Sequence, residues 1–105
     1  LPIYFHVIVV LKGNQTLIAG PDGSLLIDKN GGSELATAGT GDILAGLIGS
    51  MLSSWAPENL KECVQVVAKA VAAHGLAGKF AAKTKAPITA TDLLEALPQV
   101  LKGSR

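Results

Sequence analysis

The chain opens on an apolar run, Ile3-Tyr4-Phe5-His6-Val7-Ile8-Val9-Val10-Leu11, broken only by His6. A continuous stretch of β-branched and aromatic residues predicts a strand covered on both faces. Lys12-Gly13-Asn14 interrupts it. Thr16-Leu17-Ile18-Ala19 predicts a second short strand, Pro21-Asp22-Gly23 a β-turn, and Ser24-Leu25-Leu26-Ile27 a third strand, so a hairpin is expected. A glycine-rich loop spans Asn30 to Gly41. From Asp42 the period becomes helical: Ile43, Leu44, Leu47, Ile48, Met51, Leu52 and Trp55 form one apolar stripe. Gly46, Gly49, Ser50 and Ser53 form a strip of small residues on another side, which predicts close wedging between neighbours. Ala56-Pro57 ends this helix, because proline disfavours helical backbone in the residue before it. A second helix is expected from about Glu58 to Ala82, with Leu60, Val64, Val67 and Val71 on one face. A third follows Ile88. Thr89 and Asp92 have the spacing of a capping box, Leu93, Leu94 and Leu97 supply an apolar face, and Pro98 is expected to shorten or kink the helix.

Strands, hairpin, loop and three helices make an α/β chain that shows half of a layered structure. The strands need helices on their second face, and the nearly all-apolar helix after Asp42 needs more partners than the chain provides. A fragment is expected, or a protomer whose open faces are covered elsewhere. At 105 residues the chain is one small domain or part of a larger one. Hydrophobic residues make up 49% and charged residues 16%, which allows a packed core and argues against disorder. The net charge of +1, with no basic run and no interleaved aromatics, disfavours a nucleic-acid partner. The apolar start lacks a basic leader and a cleavage site and is too short to span a bilayer, so no membrane role is expected. Cys63, the single cysteine, is expected to be a buried reduced thiol, which fits a cytoplasmic setting.

The chemistry concentrates in Leu35-Ala36-Thr37-Ala38-Gly39-Thr40-Gly41-Asp42. Small residues and glycines let the backbone turn with its amides uncovered, immediately before a helix whose positive dipole end points the same way. Such a place holds phosphate. Asp42 adds a carboxylate beside the anion, a cost that makes sense where it takes a proton. Read apart from its neighbours, Asp42 could equally be an N-cap after a glycine turn.

The longer string, with Asn30-Gly31-Gly32 ahead of it and Ile43-Leu44-Ala45-Gly46-Leu47-Ile48 behind, resembles the GTGD signature of the ribokinase-like superfamily. The form is that of ADP/ATP-dependent NAD(P)H-hydrate dehydratases. The similarity extends from about Val7 to Lys102. It implies the C-terminal portion of a three-layer α/β/α domain with a mainly parallel central sheet, without the upstream part that supplies most of the hydrate-binding surface. The implied reaction uses ADP or ATP, with Mg2+, to phosphorylate the added hydroxyl of hydrated NADH or NADPH and then eliminate phosphate. Gly39, Thr40 and Gly41 would form the anion hole, Gly41 also contacting the adenylate. Asp42 would face the hydrated nicotinamide ring as base.

Lys12-Gly13-Asn14-Gln15-Thr16 matches the family's nucleotide-contacting KG-x-x-T segment; alone it would read as a solvated hairpin bend. It is not a P-loop, since no GxxxxGK[ST] occurs. His74-Gly75-Leu76-Ala77-Gly78 resembles a segment packed beneath the nucleotide, which implies a supporting role for His74; a helical histidine among valines is otherwise a core residue. Lys79 stands where the family commonly has an acidic residue. His6 reads as a strand residue. Two distant histidines and one cysteine build no zinc site, and Mg2+ would be held mainly by nucleotide phosphates and water. The resemblance also implies a homo-oligomer. Two other functions fit the residues: a small-molecule kinase of the same superfamily, acting on a vitamin precursor or sugar alcohol, and a non-catalytic nucleotide-binding piece.

Overall fold

The computed structural model describes residues 7–12, 15–31, 39–84 and 87–102. Strands β1 (Val9–Leu11), β2 (Thr16–Ala19) and β3 (Leu25–Asp28) form an antiparallel sheet in the order β1-β2-β3. Val10, Ile18 and Leu26 stand opposite one another and share the inner face. The β2–β3 turn is tight: Gly20 N–H donates to the Ser24 carbonyl at 2.9 Å, and Gly23 takes a φ of 88°. Asp22 accepts from Ser24 N–H at 3.0 Å, and its hydrogen bonds with Ser24 hold its carboxyl below the ordinary range.

Three helices follow: α1 (Thr40–Trp55), α2 (Leu60–Ala82) and α3 (Ala90–Leu101). Pro57 stops α1 as expected, and Ala56 answers by adopting a left-handed conformation with φ 46° while its N–H returns to the Leu52 carbonyl. Asn59, not Glu58, sets the start of α2. Its side chain accepts from Glu62 N–H at 2.9 Å, and the Glu62 carboxylate takes Glu58 N–H and the Asn59 amide, which leaves Glu58 outside the helix. The capping box at Thr89 and Asp92 is present in both directions. Pro98 does not shorten α3. Its missing N–H would have paired with the Leu94 carbonyl, and both residues lie on the exposed face, where water can serve that carbonyl.

The second helix organises the core. Val64, Val67 and Val71 of α2 meet Ile18 of the sheet and Leu44 of α1, with Val10 and Ile8 packed against them. Ala77 and Ala81 meet Leu93, Ala96 and Leu97 of α3, while Val66 and Ala70 meet Met51 of α1. Ile18 is 1% exposed and Leu93 0%, each worth about 1.5–3 kcal/mol of transfer free energy.

Several positions differ from the pattern read along the chain. Among the described residues the first strand is covered on one face, and the second is open as the half-layer reading expects: Val9 and Leu11 of β1, with Leu25 and Ile27 of β3, project from the outer face, and Leu11 is 61% exposed. The described helix residues that meet the sheet, on α1 and α2, lie on the other side, so among the described residues the outer face is uncovered. The residues before Val7, His6 included, lie outside the described set. Leu60 and Leu94, read as core-facing, are exposed, whereas Val64 and Leu93 are buried. Among the described residues the small-residue strip of α1 has no neighbour wedged against its glycines: Gly46 and Gly49 are exposed, and a side chain at either would meet open space. Cys63 is half-buried rather than buried.

Candidate functional site

Strand register gathers the predicted residues at one margin of the sheet. Leu11 lies opposite Leu17 and Thr16 opposite Asp28, so the end of β1, the start of β2 and the end of β3 share that margin. Lys12 leaves β1 here, exposed Gln15 precedes half-buried Thr16, and Asp28 accepts from the backbone N–H of Asn30 at 3.1 Å and from its side-chain amide at 2.8 Å. Gly13, Asn14 and the Leu35–Ala38 part of the signature lie outside the described residues.

The N-terminus of α1 arrives at the same place. Gly39 is its N-cap, with φ 91° and no side chain to offer the helix, and a Cβ there would stand 3.2 Å from Ala90 Cβ. The positive φ makes the turn at Gly39, which lets the helix start at Thr40. Thr40 and Gly41 therefore belong to the first helical turn instead of the loop predicted up to Gly41. The intrahelical bond from Ile43 N–H to the Gly39 carbonyl, 3.2 Å, begins the ladder, so the amides of Gly41 and Asp42 stand ahead of it. Asp42 is exposed in that first turn, not turned into the core.

Lys12 is brought against this turn. Its Nζ lies 3.0 Å from where a Cβ on Gly41 would sit. An ammonium at the positive end of a helix dipole is electrostatically unfavourable by itself. The pairing becomes favourable when an anion sits between the ammonium and the amides.

Below the turn lies His74, in the middle of α2 and 2% exposed. Its Nε2 is 2.8 Å from the Thr40 carbonyl. A carbonyl only accepts, so Nε2 carries the proton and donates it. Burial pushes the His74 pKa below its usual value, the Lys12 charge acts in the same direction, and the bond to Thr40 opposes both. Thr40 itself is 2% exposed, with its carbonyl directed at His74.

Two further participants are Asp28, which the sequence reading passes over, and Gly75, whose partner it does not name. Asp28 anchors Asn30 through an Asp-x-Asn turn, a spacing that could have been read. Gly75 lets α2 touch the Asn30–Gly31 peptide: a Cβ there would stand 2.8 Å from both Asn30 C and Gly31 N. That contact is long-range and invisible in local pattern. A surface hollow of about 260 Å3, lined by Pro21, Asp22, Leu60, Lys61 and Val64, lies at the opposite margin of the sheet and holds no predicted site residue. Among the described residues, no group of three or more His, Cys, Asp or Glu side chains gathers to hold a metal ion, and no helix is long and apolar enough to cross a membrane.

The sequence profile of the NAD(P)H-hydrate dehydratase family matches residues 4–99. The chain is 39% identical over 101 residues to a bifunctional NAD(P)H-hydrate repair enzyme of Moorella thermoacetica, covering 94% of this chain and 18% of that protein. It is 39% identical over 97 residues to the ADP-dependent (S)-NAD(P)H-hydrate dehydratase of Bacillus subtilis, covering 90% of this chain and 33% of that one. The structure of the ADP/ATP-dependent NAD(P)H-hydrate dehydratase of Bacillus subtilis, co-crystallised with ATP/Mg2+ and soaked with CoA, superimposes with a TM-score of 0.80 at 36% identity. The match covers 95% of this chain and 36% of the other. The chain thus spans between about a fifth and a third of the length of these relatives, and its architecture is that of a portion of their ribokinase-like fold.

Proposed function

The chain belongs to the NAD(P)H-hydrate dehydratase family, and from that premise we propose that it carries the nucleotide-holding part of an ADP- or ATP-dependent dehydratase acting on hydrated NADH or NADPH. The observation that carries this reading is the Lys12 ammonium held against the first turn of α1. A lysine and uncovered amides at one point suit a phosphoryl group, whose charge is spread over several oxygens.

In this reading the chain is the C-terminal portion of the domain. Gly39, through its positive φ, turns the backbone so that the Gly41 and Asp42 amides face the phosphoryl group. Lys12, with Gly13, Asn14, Gln15 and Thr16, lines the nucleotide side. Asp42 takes the proton of the hydrate's hydroxyl as its oxygen attacks phosphorus and the bond to the leaving nucleotide breaks. Phosphate then leaves with the former hydroxyl oxygen, a ring proton is lost, and the ring double bond is restored. Mg2+ fits this site as an ion held mainly by nucleotide phosphates and water, with Asp42 the one carboxylate in the first turn of α1, and when bound it neutralises phosphate charge. A cytoplasmic setting and assembly as a homo-oligomer go with the same reading, the open outer face of the sheet supporting burial against further protein.

That open face also supports a second reading for the 105 residues alone, nucleotide binding with little turnover. Calorimetric titration with ADP and a coupled assay on hydrated NADH separate the two. Recovery of near-ultraviolet absorbance in the full-length protein carrying this chain is expected. Its absence there, with turnover of a vitamin-precursor alcohol by ATP instead, would transfer the chain to the kinases of the superfamily.

A further inference from the structure

We propose that His74 and Gly75 are positioning residues for the phosphoryl site, α2 fastening the two flanks of the glycine-rich segment through consecutive residues; this rests on the nucleotide-holding role given above. One flank is the Thr40–Gly41 peptide, whose carbonyl accepts from His74 Nε2–H at 2.8 Å. The other is the Asn30–Gly31 peptide, which lies so close to Gly75 that a methyl group there would come within 2.8 Å of its C and N atoms.

The geometry of a peptide explains why the first contact matters. In a trans peptide the C=O of one residue and the N–H of the next point in opposite directions across a rigid plane. His74 Nε2–H holds the Thr40 carbonyl on the buried side, and the Gly41 N–H of the same rigid plane points the opposite way. Lys12 Nζ stands on Gly41, 3.0 Å from its Cβ position. The donor beneath the carbonyl therefore sets the tilt of the amide that meets the anion, without touching the anion itself. A helical carbonyl has a second lone pair, so the Thr40 oxygen can serve His74 and the α1 ladder together. Burial of a polar ring at 2% exposure is costly, and the bond to the Thr40 carbonyl offsets that cost.

Glutamine separates donation from volume, because its Nε2 stands as many bonds from Cβ as the histidine Nε2 does. The test uses the full-length protein carrying this chain in four forms: wild type, His74→Leu, His74→Gln and Gly75→Ala. Measurements are thermal unfolding, KM for ADP, kcat, and the amide chemical shift of Gly41. His74→Leu should raise KM for ADP and lower kcat, together by about tenfold to a hundredfold, the scale of a misdirected catalytic group. Its Gly41 amide should move, and His74→Gln should return both readouts toward wild type. Gly75→Ala should impair ADP binding through the other flank. A folded His74→Leu protein with unchanged kinetics and an unmoved Gly41 amide overturns the proposal. If His74→Leu does not fold, a folded His74→Gln protein that lacks ADP binding overturns it equally. Should the wild type bind no adenine nucleotide, the functional reading falls, while the Gly41 shift in His74→Leu against His74→Gln still decides whether His74 sets that peptide.

Discussion

Replacing Lys12 with methionine removes one charge and keeps the length of the side chain. Lys12 Nζ lies 3.0 Å from the Gly41 Cβ position, and a phosphate oxygen held by both groups is taken at a contact ion-pair separation of roughly 4 Å. At that distance a unit charge pair is worth about 4 kcal/mol at an effective dielectric of ~20 and about 1 kcal/mol in bulk water. Lys12 is exposed, which favours the lower end, so a loss of about 1–2 kcal/mol is expected. That is a weakening of ADP binding by roughly 5- to 30-fold. Calorimetric titration at low salt measures it directly. Repetition near 1 M salt, where screening acts within about 3 Å, should shrink the difference. Adenosine, which has no phosphate, should bind both proteins alike. Lys61→Met, at the hollow on the far margin of the sheet, is the control for net charge. If Lys12→Met binds ADP within twofold of wild type at low salt, the ammonium does not face the phosphates and the electrostatic account of the site is wrong.

Asp42→Asn should leave ADP affinity nearly unchanged and cut kcat by about 10²- to 10⁴-fold, the usual contribution of a positioned base; the coupled assay with a parallel titration distinguishes these. Gly39→Ala should cost about 1–2 kcal/mol from the left-handed backbone alone, with added pressure on Ala90 at 3.2 Å, read as a lower thermal midpoint. The pKa of His74 is depressed in the folded chain from its ordinary 6.5. The unfolded chain therefore binds the proton more readily, so the stabilisation held above pH 6.5 is lost as pH falls toward the folded value. Denaturant titrations from pH 7.5 to 5 should show that decline, and His74→Gln should flatten it.

Local signals along the chain read the helices well because each is closed by chemistry that operates within a few residues. Thr89 and Asp92 cap α3 at a fixed spacing, and Pro57 stops α1 by acting on Ala56 alone. Boundaries slipped where a neighbour competed for the same role, as when Asn59 rather than Glu58 set the start of α2. The glycine and acid of the site could be picked out, since Gly39 and Asp42 stand in an uncommon string. What could not be read was convergence. Nothing near Lys12 reveals that its ammonium reaches Gly41, nothing around His74 names the Thr40 carbonyl as its acceptor, and nothing beside Gly75 names the Asn30–Gly31 peptide that it meets. Those contacts span tens of residues, and the apolar pattern that brings them together specifies a core without specifying which polar atoms meet at its edge. The composition of the first strand, by contrast, was legible: it calls for cover on both faces, and the described helices lie against one.

Each strand of the sheet pairs with its immediate successor, β1 with β2 and β2 with β3. Closing such short connections costs little chain entropy compared with the long crossovers that parallel strands demand. The meander can therefore zip as a local event, ahead of the tertiary docking of distant helices. Mutations in its turns should then register chiefly in how fast the protein folds, and those where α2 meets α1 and α3 in how fast it comes apart.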